Sequence, residues 1–353
     1  MSENRVDLVF EGGGVKGIGL GGAFAALEEN GFKANNVAGT SAGAITAALV
    51  AAGYSAAELK EIVFHMPFPA FKDTGGMARI PFFGGPLNVL ADLGIYEGKF
   101  FHTWISELLA KKHVTKFGDL LNPESTGPAD RHRLRVIASD VTHRRMLILP
   151  TDAPHLGIEP DDMLVADAVR MSMSIPIFFE PVMHRNPRTG LDHLIVDGGM
   201  LSNFPVWLFD TTKGEPPRWP TFGMLLVEAD PKVPVAHRVE ARDSGSIIDY
   251  VKALASTMME AHDRLYLEKA TFVRTIPIPT LGVSTTEFEI TPERVRALYE
   301  SGRRAAFDFL DRWDFEAYKA EYRSGREHSR REELATRPAA PLSAPPSGGL
   351  ARA

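Results

Sequence analysis

The sequence predicts an α/β fold in which helices pack against a central, mostly parallel β-sheet. Residues 6–10, VDLVF, have the length and β-branched content of a buried strand. Residues 17–30 follow helical spacing up to the helix breaker Gly31. The pattern then repeats, because a short strand at 36–40 leads directly into an alanine-rich helix that ends at Gly53. Alternation of strands and helices is typical of layered α/β proteins.

Later segments continue this alternation. Residues 55–66 predict a helix with Ser55 as N-cap and Glu58 as its capping-box partner. Residues 134–141 and 145–150 predict two strands of a hairpin. Periodicity and helix-end signals predict the remaining elements, which are helices over 98–113, 160–176, 246–270 and 291–313 and strands over 193–200 and 221–230.

Two segments lack regular patterning. Residues 67–95 are rich in Phe, Pro and Gly, and they fit either a loop folded over the core or an apolar flap over a lipid-binding cleft. Residues 325–353 are charged and then Pro/Ala-rich, so we expect a disordered tail. The predicted organisation is one domain over residues 1–324 followed by this tail.

Composition excludes several classes of function. With 39 Lys and Arg against 45 Asp and Glu, the formal charge is −6, which argues against nucleic acid as the main partner. The chain has no cysteine, and therefore no disulfide, thiolate metal site or cysteine nucleophile. We see no cleavable signal peptide and no apolar stretch long enough to span a bilayer. These features predict a cytoplasmic protein, with export by a signal-less route left open.

Glycines between the first strand and the first helix indicate that something approaches the backbone closely. Gly12, Gly14 and Gly17 match the dinucleotide-binding pattern G-x-G-x-x-G in the right context. That interpretation also requires an acidic residue at the end of the second strand, where the sequence instead reads GTSAG. A P-loop fits less well, because Lys16 is not followed by Ser or Thr.

The second glycine motif predicts a nucleophile. Gly39, Ser41 and Gly43 form G-x-S-x-G directly after a predicted strand and before a predicted helix, the context of a nucleophile elbow. An N-cap serine in a glycine-rich turn is the alternative. If strands 1 and 2 are parallel neighbours, both turns emerge at one sheet edge. The amides of Gly12, Gly13 and Gly14 would then form an oxyanion hole beside Ser41.

A nucleophilic serine needs a proton acceptor. Among eleven histidines, His193 is the best candidate, although a structural role suits it better. The other candidate is Asp197, which ends a predicted strand and precedes Gly198 and Gly199, so that another element can approach the carboxylate. An ordinary Asp-Gly turn would look the same. Asp197 can act as a base only if burial raises its pKa.

Taken in order, these motifs resemble the patatin-like phospholipase family. The resemblance rests on G-G-G-x-K-G at 12–17, G-T-S-A-G at 39–43 and D-G-G at 197–199, with SMSIPIFFEPV at 172–182 as a further similar segment. It covers roughly residues 6–205.

The resemblance implies a three-layer α/β/α sandwich and a Ser–Asp dyad without histidine. Ser41 would be the nucleophile, Asp197 the base and the turn Gly12–Gly14 the oxyanion hole. The implied activity is hydrolysis of acyl esters of phospholipids, lysophospholipids or neutral lipids, without a metal or other cofactor. Lys16 occupies the family's basic position, either as a solvated charge or as an attraction for lipid phosphate. We expect a lipid acyl ester as substrate and peripheral contact with a membrane surface.

Two other functions stay open on the sequence alone. An acyltransferase would use the same acyl-enzyme and pass the acyl group to an alcohol instead of water. A non-catalytic lipid- or nucleotide-binding protein could retain the fold. Head-group preference and oligomeric state are not predicted by any motif.

Overall fold

The computed structural model of the protein describes residues 4–71, 96–125, 127, 130–211, 216–228 and 269–323. The strands are β1 (Asn4–Phe10), β2 (Phe32–Thr40), β3 (Leu134–Asp140), β4 (Arg145–Leu149), β5 (Val182–Arg185), β6 (Asp192–Asp197), β7 (Thr221–Val227) and β8 (Thr275–Pro279). The helices are α1 (Ile18–Glu29), α2 (Ala42–Ala51), α3 (Ala56–Phe64), α4 (Lys99–Lys111), α5 (Val165–Ser172), α6 (Lys269–Val273), α7 (Pro292–Leu310) and α8 (Phe315–Tyr322).

The strands form one mixed sheet. Its order is β5-β6-β3-β2-β1-β7-β8, and β4 pairs with β3 outside this path. The five strands β3, β2, β1, β7 and β8 are parallel to one another. Strands β4 and β6 run antiparallel to β3, and β5 runs antiparallel to β6. The predicted α/β class with a central, mostly parallel sheet is confirmed.

Both faces of the central strands are buried. Leu8 and Phe10 of β1 face the larger hydrophobic core, which also contains α1, α2 and α3 residues. Val9, between them, faces a smaller core formed with Trp207 and Phe209. Burial on both faces explains why the first strand reads as a continuous apolar run instead of an alternating one.

Several predicted elements are confirmed in detail. The α3 capping box is present, with the Ser55 hydroxyl accepting from the Glu58 amide and the Glu58 carboxylate accepting from the Ser55 amide. Helix α7 begins at Pro292 after Thr291, whose hydroxyl accepts from the Arg294 amide. Strands β3 and β4 form the predicted hairpin.

Other predictions were wrong in extent or missing. The helix predicted over 160–176 is confined to Val165–Ser172, because residues 160–162 form a separate 3-10 turn. The chain leaves the helix before Pro176 and turns toward the ends of β2 and β6. Strands β5 and β8 were not predicted. β8 contains Pro277 and Pro279 and lies at the edge of the sheet, where proline is tolerated.

Three predictions fall wholly or mostly outside the described residues. These are the flap or loop beyond residue 71, the helix over 246–270 before Lys269, and the disordered tail over 325–353.

Helices α1 and α7 pack so closely that their backbones are in contact at glycine residues. A Cβ atom at Gly22 would lie 1.8 Å from the carbonyl oxygen of Tyr299, and one at Gly302 would lie 1.8 Å from that of Gly19. A Cβ at the adjacent Gly21 would make only ordinary contacts, 3.7 Å from Val63 Cγ2. The close approach of the two helices therefore depends on Gly22 and not on Gly21.

Replacing Gly22 with alanine is expected to lower the free energy of unfolding by about 3 kcal/mol, the upper end of an overpacking cost. Gly21→Ala is the matched control, and it should leave stability unchanged or raise it by up to about 1 kcal/mol, because alanine favours helix over glycine. Urea denaturation of both variants measures the difference. Equal midpoints for the two would contradict this account of the helix packing.

Candidate active site

The ends of two distant strands meet on one edge of β3. Strand β4 pairs with residues 136–140 of β3 and so occupies one edge of that strand. On the other edge, β2 pairs with residues 134–137 and ends at Thr40 opposite Ile137. Strand β6 pairs with residues 138–140 from the opposite direction and ends at Asp197 opposite Ala138. The carboxyl ends of β2 and β6 therefore meet end to end, which brings Ser41 and Asp197 together.

Ser41 occupies a sharp turn between β2 and α2. Its backbone φ of 52° and ψ of −127° are strained for a residue with a side chain. A Cβ at Gly39 would lie 2.2 Å from the Gly43 carbonyl oxygen, and a Cβ at Gly43 would lie 2.2 Å from that of Phe10. The turn therefore requires glycine at both positions. Ser41 is fully buried and occupies the N-cap position of α2, where positive potential favours an anion.

The Asp197 carboxyl is completely buried at the end of β6. Its Oδ1 accepts a hydrogen bond from the Gly199 amide at 2.7 Å, and its Oδ2 has no partner with hydrogen-bond geometry within the described residues. Burial raises the pKa of Asp197 to about 7, although the nearby Ser41 hydroxyl and the hydrogen bond from the Gly199 amide offset part of this rise.

The chain after α5 connects both groups. The Ser41 amide donates to Ser172 Oγ at 2.8 Å, and the Asp197 amide donates to the carbonyl oxygen of Ser174 at 2.9 Å. The Ser41 hydroxyl is directed at Met173 Sδ, 3.6 Å away. The Ser41 hydroxyl is thus near enough to the Asp197 carboxyl to lower its pKa, but the two groups are not aligned for a hydrogen bond. Catalytic hydrogen bonds often tighten only when substrate binds.

The turn Gly12–Gly14, the glycine loop, lies beside Ser41. A Cβ at Gly12 would be 3.1 Å from Ser41 Cβ. The Gly12 amide donates to the carbonyl oxygen of Asn203 at 3.1 Å, so it is already engaged. The amides of Gly13 and Gly14 have no hydrogen-bond partner among the described residues. Of the three predicted oxyanion donors, these two have N–H groups free to bind an anion.

The other motif residues serve close packing around this loop. A Cβ at Gly17 would lie 3.0 Å from Ala42 Cβ, and one at Gly198 would lie 2.2 Å from the Ile137 carbonyl oxygen. These glycines let α1 approach α2 and let the chain after Asp197 pass the end of β3. Lys16 is half-buried and makes no ion pair within the described part of the chain.

His193, the histidine candidate, bonds to Asp140 instead of Ser41. Its Nδ1 lies 2.8 Å from Asp140 Oδ2, and His143 Nδ1 lies 2.9 Å from the same oxygen. The ligand atoms of these three residues lie within 4.8 Å of one another, so among the described residues they could hold a metal ion. The contacts are also ordinary imidazole–carboxylate hydrogen bonds, which account for the burial of Asp140.

An apolar cavity opens next to Ser41, between α1, α2 and α3. Near Ser41 its wall is formed by Gly14, Ala42 and Met173. Its far end is lined by side chains of α3 and the following turn, which are Leu59, Ile62, Val63, Met66 and Phe68. The cavity can therefore accept a hydrocarbon chain whose polar end lies at Ser41.

Sequence reasoning selected Ser41 and Asp197 as candidates, which the structure brings together, but it did not select Met173 and Asn203, which contact Ser41 and the glycine loop. The segment SMSIP was noted only as a family-like segment, and the interactions of Met173 with the serine depend on tertiary structure. Asn203 carried no local signal.

None of the helices in the described residues is long and apolar enough to cross a membrane.

Comparison with known proteins follows the same motifs. A model of the patatin-like phospholipase family matches residues 8–210. The chain is 38% identical over 316 residues to "Uncharacterized protein YqhO" of Bacillus subtilis (strain 168), which covers 88% of this chain and 99% of YqhO. The 85/88 kDa calcium-independent phospholipase A2 of Rattus norvegicus is 29% identical over 203 residues, 56% of this chain and 22% of that protein.

Among solved structures, VipD from Legionella pneumophila has a TM-score of 0.51 and 19% identity, over 87% of this chain and 67% of VipD. At that identity, the similarity to VipD concerns the fold alone.

Proposed function

The chain belongs to the patatin-like phospholipase family of lipid acyl hydrolases, and from that premise we propose that it is a phospholipase A or lysophospholipase with a Ser41–Asp197 dyad. The observation that carries the proposal is the buried Asp197 carboxyl beside a buried, strained Ser41. Because burial raises the pKa of this carboxyl to about 7, it can accept a proton from serine near neutral pH.

In the proposed reaction, Ser41 Oγ attacks the ester carbonyl carbon while its proton moves to Asp197 Oδ2, the oxygen that has no hydrogen-bond partner among the described residues. The amides of Gly13 and Gly14 stabilise the negative charge on the carbonyl oxygen. The tetrahedral intermediate collapses, and Asp197 returns the proton to the leaving alcohol. Water then attacks the acyl-serine while its proton moves to Asp197. Collapse of this second intermediate releases the fatty acid, and Asp197 returns the proton to Ser41 Oγ.

The apolar cavity is the proposed site for the acyl chain. Its lining between α1 and α3 is almost entirely hydrocarbon, and Ala42 and Met173 connect it to the reacting serine. Burial of acyl methylene groups there provides binding energy of about 0.8 kcal/mol for each group. The apolar lining favours an acyl ester with a hydrocarbon chain over a small water-soluble substrate.

Filling this cavity is expected to change acyl-length preference. Gly21 lines the cavity, and a Cβ atom at this position would make only ordinary van der Waals contacts. Gly21→Leu should lower kcat/KM for a 16-carbon p-nitrophenyl ester by about tenfold or more, the equivalent of about 1.4 kcal/mol. Hydrolysis of the four-carbon ester should stay within about threefold of wild type. Gly21→Ala, with little added volume, is the control. An equal loss on both esters would contradict the assignment of this cavity to the acyl chain.

The function itself is tested by fatty-acid release from phospholipids, lysophospholipids and p-nitrophenyl esters, with and without EDTA. We expect release that EDTA does not diminish, since the proposed chemistry uses only protein groups. Adding a lysophospholipid acceptor distinguishes transfer, which gives a new diacyl lipid, from hydrolysis. Absence of both products on every substrate would argue against the proposal, and loss of activity with EDTA would argue against a metal-free dyad.

A further inference from the structure

We propose that Asn203 is a positioning residue that holds the glycine loop in the orientation needed to bind the oxyanion, an inference that rests on the proposed function. Asn203 is 6% exposed and follows the proposed base by six residues. It acts on the substrate through Gly12 and Gly13, not by direct contact.

Asn203 binds the Gly12 backbone on both sides. Its side-chain Nδ2 donates to the Gly12 carbonyl oxygen at 3.0 Å, and its backbone carbonyl oxygen accepts from the Gly12 amide at 3.1 Å. The first of these bonds fixes the plane of the Gly12–Gly13 peptide. In a planar trans peptide, the C=O and the following N–H point in opposite directions. With its carbonyl held by Asn203, this peptide directs the Gly13 N–H away from Asn203.

Without such an anchor, the loop could present the wrong group to the substrate. Glycine crosses between backbone conformations readily, and a flip of the Gly12–Gly13 peptide exchanges the positions of its N–H and C=O. A carbonyl oxygen would then replace one of the two free donors, and would repel the oxyanion instead of stabilising it. The three consecutive glycines that permit close approach thus also require a fixed partner.

The orientation of the Asn203 amide follows from its neighbours. Nδ2 faces two acceptors, the Gly12 carbonyl oxygen and, at 3.3 Å, Glu11 Oε1. The reverse orientation would set the side-chain oxygen against both. Oδ1 therefore packs on Gly12, where it lies 2.2 Å from the position of a Cβ. Glu11 is in turn tied to β7, because its Oε2 accepts from the Leu226 amide.

The same segment also touches the serine turn. The Thr40 hydroxyl donates to the carbonyl oxygen of Ser202 at 3.0 Å. The stretch from Asp197 to Asn203 thus supplies the proposed base and contacts both the strand end before Ser41 and the glycine loop. Asn203 links the oxyanion donors to this unit.

The test compares Asn203→Ala and Asn203→Asp with the matched control Asn122→Ala. Asn122 is equally buried, donates from Nδ2 to Asn36 Oδ1 at 2.9 Å and accepts from the Glu124 amide, but its partner Asn36 lies in the middle of β2, not at the strand end before Ser41. The rate of Ser41 modification by a fluorophosphonate probe is measured beside kcat, KM and the thermal midpoint. The nearly isosteric Asn203→Asp keeps the volume and places a carboxylate against Gly12 O and Glu11.

Both Asn203 variants are expected to slow Ser41 modification and kcat by about 10²-fold, the loss of one oxyanion donor, with KM for a short ester within about threefold. In Asn122→Ala, Ser41 should be modified at nearly the wild-type rate, even if the thermal midpoint falls as far as in the Asn203 variants. Wild-type rates in folded Asn203 variants, or equal slowing in Asn122→Ala, would overturn the inference. If wild type itself is not modified at Ser41, the proposed function fails, a result distinct from both.

Discussion

Replacing Ser41 with alanine is expected to lower fatty-acid release by roughly 10⁴-fold to 10⁶-fold, because the proposed mechanism then has no atom to carry the acyl group. The fold should survive the change. The hydrogen bond from the residue 41 amide to Ser172 Oγ does not involve the Ser41 hydroxyl, and alanine is small enough for the turn. Initial rates on a short p-nitrophenyl ester and thermal melting of the purified variant measure the two effects.

Ser301→Ala provides the control for removing a buried hydroxyl. Ser301 lies on α7 and donates to the carbonyl oxygen of Pro279 at 2.8 Å. Its replacement should affect stability without changing the rate by more than about twofold. Retention of more than about one per cent of wild-type activity by Ser41→Ala would assign the nucleophile to another group.

Replacing Asp197 with asparagine is expected to reduce activity while raising stability at neutral and alkaline pH. Loss of a general base lowers kcat by roughly 10²-fold to 10⁴-fold. The wild-type profile of kcat/KM should rise with pH through about 7, where the Asp197 carboxyl loses its proton. The asparagine variant should lack this rise.

The stability effect follows from the raised pKa. Burial raises the pKa of Asp197 from 3.8 to about 7, so the folded protein holds this proton more tightly than the unfolded chain does. Wild type therefore loses stability as pH rises from about 4 to about 7, by at most about 4 kcal/mol. Asparagine stays neutral, so the variant's advantage should be near zero at pH 4 and largest above pH 7. Urea denaturation across this range measures it.

Asp7→Asn separates stability from activity. Burial raises the pKa of Asp7 to about 6, and its Oδ1 accepts from the Asn36 amide of β2. Asp7 lies in the middle of β1, before the strand reaches the glycine loop. We expect a similar pH-dependent stabilisation with wild-type activity. If Asp197→Asn were no more stable than wild type at pH 8, Asp197 would not be a charged group buried at a cost to the fold.

The sequence allowed prediction of what depends on local chemistry. The β1–α1 and β2–α2 turns were identified because glycine, serine and apolar periodicity lie next to one another in the chain. The capping box of α3 and the β3–β4 hairpin are local for the same reason. Ser41 and Asp197 were both identified as candidates, and the structure brings them together.

What the sequence could not predict depends on tertiary contacts. Helix α5 ends at Ser172, before its proline, because Ser172 and Ser174 bind the serine turn and the end of β6. Asn203 resembles any polar loop residue until the glycine loop is placed beside it. β8, with two prolines in five residues, has the pattern of a loop, and pairing with β7 makes it a strand.

The end-to-end meeting of β2 and β6 on one edge of β3 has a consequence for biosynthesis. The first 150 residues hold the glycine loop, the serine turn and the β3–β4 hairpin, but not the proposed base. Asp197 reaches Ser41 only after β6 pairs with β3 in the correct register, and a slip of one residue would turn its side chain to the opposite face. A chain emerging from the ribosome therefore carries the proposed nucleophile without the proposed base. Under the proposed mechanism, esterase activity becomes possible only after this long-range strand pairing, and the newly made protein would not cleave lipids before its sheet is assembled.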